Sequence, residues 1–180
     1  IDNLKSEIPE LPDDRKKRYI NEYNLSNYDA SVLTSDKSVS DFFDNVIKVD
    51  SSLKNSSKIV VNWISSELFS LLNENDLEIN KSPVSPENLG KLVKLIKDDV
   101  ISGKIAKDVL LEMFNTKEDP EKIIEEKGLK QVTDISQIEN IVEEVIYENQ
   151  KMVEQYLSGK DKLLGFFVGQ AMKKSMGKAN

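Results

Sequence analysis

The chain has 180 residues, 25 Lys and Arg against 32 Asp and Glu, and neither His nor Cys, for a net charge of −7. That length suits one ordinary domain or two small ones. The missing imidazoles and thiols exclude Ser–His and Cys–His nucleophiles, disulfides, and His or thiolate metal sites. A generally basic nucleic-acid binder is excluded as well, so any such role needs a local patch.

The absence of Cys fits a reducing cytoplasm. No apolar run approaches the ~20 residues of a membrane span, and Leu163 to Met172 reaches only about half of that. With Ile1 rather than Met at the start and no signal peptide, the chain reads as a piece of something longer. The excess of 23 Lys over 2 Arg reads as the compositional bias of an AT-rich genome. Helix formers dominate, Gly and Pro total 12 and fall mainly between periodic segments, and alternating runs of strand length are scarce. The predicted fold is all-α.

In chain order, residues 1–12 form an extended leading strap, because Pro9 and Pro12 restrict themselves and their predecessors. Asp13 to Ile20 places acids before bases, as a capped surface helix would. Short helices follow near 26–34 and 37–48, then a polar connector over Ser51 to Ser57. From Lys58 to Leu72 the spacing of Val60, Trp63, Ile64, Leu68, Leu71 and Leu72 gives a broad apolar helical face, with Trp63 as a core anchor. Ser85-Pro86-Glu87 reads as N-cap, first-turn proline and early acid. Ser102-Gly103 interrupts that helix before Ile105 to Phe114 resumes, and Asp119-Pro120 opens another that Gly128 closes.

A boundary at Gly128 to Gln131 divides a helical domain, 1–128, from a tail, 129–180. The tail starts with a capping box at Ser136 and Glu139. It continues with a stripe of Ile138, Ile141, Val142, Val145 and Ile146, a short helix near 151–156, and a last helix from about Lys160 to Met176. The expected architecture is a multihelical bundle followed by a small three-helix unit.

The tail is electrically lopsided. Residues 129–158 carry a net −4, whereas 159–180 carry +4 from Lys160, Lys162, Lys173, Lys174 and Lys178 against Asp161. At about 100° per residue, Lys162, Gly165, Gly169 and Lys173 project within roughly 80° of one another. A glycine inside a helix costs ~1 kcal/mol against Ala, so two of them need a reason. Either another helix approaches closely there, or the bare backbone admits a sugar–phosphate strand between two lysines. Lys104 and Lys107 follow Ser102-Gly103, where a helix start could present amides to an anion or simply form a surface turn. The pairs Glu125-Glu126 and Glu143-Glu144 read as solvated surface. There is no phosphate-binding glycine loop and no dinucleotide fingerprint, and no catalytic site is visible.

Several stretches together resemble the B subunit of tRNA-dependent amidotransferases. They are Ile8 to Pro12, Asn27-Tyr28-Asp29-Ala30 with Val32-Leu33-Thr34, Asn62-Trp63, Ser85 to Leu89, Ser102 to Lys107, and Glu126 to Gln131. Val153 to Tyr156, Gly159-Lys160 and Leu164 to Lys173 extend the likeness through the tail. The resemblance implies a helical domain and a YqeY-like tail, an arm holding tRNA(Gln) or tRNA(Asn) near its D-loop corner. It further implies a separate cradle domain that uses ATP and magnesium to convert Glu-tRNA(Gln) or Asp-tRNA(Asn). Through that cradle come the glutaminase (A) and C subunits as partners.

On this view the fragment is a cytoplasmic, bacterial, non-catalytic monomer that holds no cofactor and binds no membrane. The family continues past Asn180 with a proline and a final helix, so the tail is expected to be truncated. Lys160, Lys173, Lys104 and Lys107 carry over from matched motifs as tRNA contacts. Lys162, Lys174, Lys178, Gly165 and Gly169 rest on the charge and face argument. The alternative is a YqeY-like protein-interaction module that binds no RNA.

Overall fold

A computed structural model describes residues 10–130 and 135–179. Most of the leading strap, the Gln131 end of the predicted boundary and the Ser136 side chain of the capping box lie outside the described residues. Helix α1 (Pro12–Tyr23) opens on Pro12 at its first position, so that residue belongs to the helix rather than to the strap. Then come α2 (Asn27–Thr34) and α3 (Lys37–Val49). Where a polar connector was expected, Ser51–Ser56 forms a 3₁₀ turn that buries Leu53 completely.

One unbroken helical rod follows, made of α4 (Ser57–Asn62), a π turn (Trp63–Leu68) and α5 (Phe69–Glu74). Beyond it lie α6 (Pro86–Lys97), α7 (Gly103–Thr116) and α8 (Pro120–Lys127). The predicted caps form. Ser85 Oγ accepts from the Asn88 amide at 3.2 Å, and Asp119 accepts from the Glu121 amide at 2.9 Å. Gly128 closes α8 in the left-handed region at φ 58°.

Helix α3 is central to the body. It packs against α2, α4 and α6, and both 3₁₀ turns of this region lie on it. Val46 and Phe43 of α3 are fully buried, as are Leu89 and Leu92 of α6. Between the two helices sits Gly90, where an added Cβ would lie 2.7 Å from Val49 Cγ2, 2.8 Å from Val49 Cβ and 3.1 Å from the Val46 carbonyl oxygen. Only a bare backbone fits there. Trp63 is 8% exposed within the same core, as its place in the apolar run predicts.

The charge run of α1 is more than a surface helix. Both arginines turn toward α3. Arg15 Nη1 bonds Asp41 at 2.8 Å, and Arg18 bonds Asp44 at 3.0 Å and Glu10 at 2.7 Å. The Arg18 guanidinium also lies 5.0 Å from the Tyr19 ring centre, while the Tyr19 hydroxyl donates to the Ser40 carbonyl at 3.1 Å.

The tail consists of α9 (Ile135–Glu148), α10 (Gln150–Leu157) and α11 (Leu163–Lys174). Helices α9 and α11 pair, and α10 touches both. The Leu163 and Leu164 amides donate to the Lys160 and Asp161 carbonyls at 3.1 Å each, a tight turn that delays the start of α11 to Leu163. No strand occurs among the described residues, and the fold is all-α.

Two consequences can be measured. Gly90→Ala should destabilise the fold by ~1–3 kcal/mol in urea unfolding, because overpacking against α3 outweighs the better helix propensity of Ala. Acid should also weaken the fold. Hydrogen bonds from Arg18 hold the Glu10 carboxyl below the usual range, as the Lys37 hydrogen bond, opposed by burial and aided by Arg15, does for Asp41. A lowered folded-state pKa contributes stability above the unfolded value of about 4 and loses it as pH falls further. The urea midpoint should therefore drop below about pH 4, and less steeply in Glu10→Gln/Asp41→Asn.

Candidate nucleic-acid interface

Helix α11 presents two unlike faces. Leu164, Phe167, Val168, Ala171 and Met172 turn toward α9 and α10, where Phe167 meets Tyr156 edge to face at 6.0 Å. Together with the apolar residues of α9 they line a cavity of about 550 Å³. It is open to one side, so Leu164 stays 54% and Val168 55% exposed.

The other face carries the glycines. Gly165 and Gly169 are exposed, and no described residue lies within 4 Å of where a Cβ would stand on either. Close approach of another described helix is therefore not their reason. Lys162 sits at the N-cap and Lys173 in the last turn, both exposed and without an ion pair among the described residues. Their separation of eleven positions places them about 16 Å apart along the axis. A cation at a helix N-terminus opposes the helix dipole, so Lys162 gains nothing there from the fold.

The other predicted cations divide. Lys160 lies exposed in the turn before α11, after Gly159 at φ 104°. Lys178 follows the helix, beyond Gly177 at φ 77°, and is half-buried. Lys174 bonds Glu144 at 2.9 Å and Glu148 at 2.8 Å, a strut between α11 and α9. Those carboxylates hydrogen-bond its ammonium and push its pKa up, Glu148 more than Glu144. Lys174 thus has a structural partner, and Glu144 is an anchor rather than mere solvated surface. The Glu144/Glu148 spacing of four residues carried that signal in the sequence.

In the larger body, Lys104 and Lys107 occupy the start of α7. Ser102 Oγ accepts from the Ile105 amide at 3.3 Å, which leaves the Gly103 and Lys104 amides without a partner among the described residues. Lys104 is exposed, and Lys107 bonds Glu67 at 2.9 Å. No group of three or more Asp or Glu able to hold a metal ion occurs among the described residues. Nor is any helix there long and apolar enough to cross a membrane.

A family model described as the GatB domain matches residues 41–180. The chain is 50% identical over all of its 180 residues to the B subunit of the aspartyl/glutamyl-tRNA(Asn/Gln) amidotransferase of Rickettsia rickettsii (strain Sheila Smith), covering 36% of that protein. It is 49% identical to the protein of the same description from Pelagibacter ubique, covering all of this chain and 36% of the relative. For the Alkalilimnicola ehrlichii counterpart the identity is 48%, again over the whole chain and 37% of the relative. The chain thus spans little more than a third of the length of these curated relatives.

Open glycine positions make a stability prediction. Gly165→Ala and Gly169→Ala should each raise the unfolding free energy by ~0.4–1 kcal/mol in urea titrations, since helix propensity and unfolded-state entropy improve at no steric cost. A loss of stability would mean that the glycines serve packing after all.

Proposed function

The chain belongs to the GatB domain family, and on that premise we propose that it is the tRNA-holding arm of an aspartyl/glutamyl-tRNA amidotransferase. The observation that carries the reading is the exposed face of α11, two bare glycines between two lysines that serve no purpose within the fold. Lys162 and Lys173 neutralise phosphates, and the missing side chains let a sugar–phosphate strand lie close to the helix. Lys160 and Lys178 extend the positive field at either end. Such contacts position RNA without reading bases, which suits recognition of a folded corner such as the D-loop region of tRNA(Gln) or tRNA(Asn). The residues fall into two functional parts, a helical body over 1–128 and a YqeY-like tail over 129–180.

Chemistry belongs elsewhere in the parent enzyme. Activation of the misacylated end with ATP and magnesium, and contacts with the glutaminase and C subunits, are assigned to the cradle domain. Isolated binding should be weak, since the whole enzyme adds contacts and effective concentration.

A salt-resolved titration with tRNA(Gln), tRNA(Glu) and an unrelated tRNA tests the reading. Binding should prefer tRNA(Gln) and weaken with salt. In Lys162→Ala/Lys173→Ala the slope of log K against log salt should become shallower by about 2. Absence of binding by the folded chain at low salt would instead favour a protein-interaction module, with the glycine face covered by a partner helix.

A further inference from the structure

Helix α11 carries an aromatic ring on the side away from its own apolar face. At about 100° per residue, Phe166 projects about 160° from both Leu164 and Val168, which open the apolar cavity. It lines neither that cavity nor the core of the larger body, and it is half-buried. Among the described residues its one aromatic neighbour is the adjacent Phe167, at 5.6 Å between ring centres and 74° between planes. An edge-to-face contact of this kind covers at most one of the two faces of a ring.

Phe166 lies inside the glycine–lysine face instead. It projects about 20° from Lys173, about 60° from Gly169 and about 40° from Gln170. Side chains on a helix lean toward its N-terminus, so Gly169 and Gln170 are the positions that overhang Phe166. Gly169 contributes no side chain, and no described residue lies within 4 Å of where its Cβ would stand. The ring is therefore approachable across the missing side chain. Gln170 adds an amide that offers both donor and acceptor. Lys173 adds an exposed cation with no ion pair among the described residues.

No phosphate asks for a ring. Phe166 has neither charge nor hydrogen-bonding group, so backbone contacts through the lysines leave it unexplained. An unpaired base matches the whole set. It presents a π face for stacking and an edge of donors and acceptors, and its attached phosphate needs a nearby cation. Phe166, Gln170 and Lys173 supply those three functions within about two turns of one helix.

We infer that Phe166 stacks against one unpaired base of the bound RNA. Gln170 meets the edge of that base and Lys173 its phosphate, while the bare Gly169 lets the base lie over the ring. Helix α11 thereby gains a contact that requires a base, where the lysines alone require only a charged backbone. The choice of RNA rests on the tRNA-binding reading; the placement of the ring does not.

Phe166→Trp turns the ring into a reporter, because stacking on a base quenches indole fluorescence. Trp63, 8% exposed in the larger body, supplies the background measured in wild type. The intact chain would be titrated with hexaadenylate, hexauridylate and an abasic ribose–phosphate hexamer. Hexaadenylate should quench the added indole saturably, and the abasic hexamer should not. By anisotropy of labelled oligomers, Phe166→Leu should weaken hexaadenylate at least fivefold and leave the abasic hexamer within about twofold. Phe166→Trp, which keeps a ring, should hold hexaadenylate within about twofold of wild type. Gln170→Ala should narrow the affinity ratio between hexaadenylate and hexauridylate at least twofold. Equal quenching by hexaadenylate and the abasic hexamer overturns the inference, as does an equal loss of both in Phe166→Leu. If Phe166→Leu changes nothing while tRNA still binds through Lys162 and Lys173, this inference fails and the tRNA-binding reading stands. Base-dependent quenching without tRNA binding overturns that reading and leaves α11 as a contact for single strands. No binding of tRNA or of any oligomer at low salt overturns both.

Discussion

The close approach of α6 to α3 at Gly90 fixes the pair of helices at the centre of the larger body, with α2 and α4 packed on α3 and α7 and α8 on α6. Two helices separated by ordinary side chains would leave Val46 and Leu89 partly wetted, and fully burying such a residue contributes ~1.5–3 kcal/mol. With hydrogen in place of a methyl group at Gly90, the backbone of α6 rests on Val49 and the Val46 carbonyl. Both flanking 3₁₀ turns then close over α3, and the rod of α4, the π turn and α5 fills the side that remains. The same close packing brings the body to one continuous core, from Tyr19 in α1 to Ile124 in α8.

Charge is allotted by the geometry each site demands. Arg15 and Arg18 serve a partly buried network with Glu10, Asp41 and Asp44, where a planar fork can satisfy two or three carboxylates at once. A lysine would place a single compact charge there and leave some of those carboxylates unmet. Lysines occupy sites that ask for less. Lys173 and Lys174 are neighbours in sequence yet lie about 100° apart around α11. One faces solvent on the glycine side, and the other reaches across to Glu144 and Glu148.

Local signals were legible because they act over a few residues. Ser85 and Asp119 before prolines, Gly128 after α8, and the apolar period through Trp63 each specify their element by nearest-neighbour chemistry. Within α11 the exposed placement of Gly165, Gly169 and Lys173 follows from helical pitch, whereas Lys162 lies in the turn before the helix. What the sequence hid depends on pairing across long separations. The reach of Arg18 to Asp44 spans 26 positions and that of Lys107 to Glu67 spans 40, which no wheel or motif reveals. Gly90 looked like an ordinary helix glycine, because crowding by Val49 exists only after α3 and α6 meet. Leu53 was lost in a serine-rich connector whose polar residues dominate its composition. The π turn is equally hidden, since one extra residue in a turn leaves no compositional mark.

The face of α11 sets two bare glycine positions beside Lys162 and Lys173, neither of which has an ion pair among the described residues. In each case the usual account of a glycine fails. Gly165 and Gly169 meet no neighbouring helix among the described residues, and Gly103 has a helical rather than a left-handed backbone with open space beside it. Gly90 shows what a structural glycine looks like here, with three heavy atoms within 3.1 Å of the missing methyl group. Glycines that crowd nothing lower the stability of the free chain by about 1 kcal/mol at each position inside a helix. The open space beside Gly165 and Gly169 leaves that cost without a packing return among the described residues.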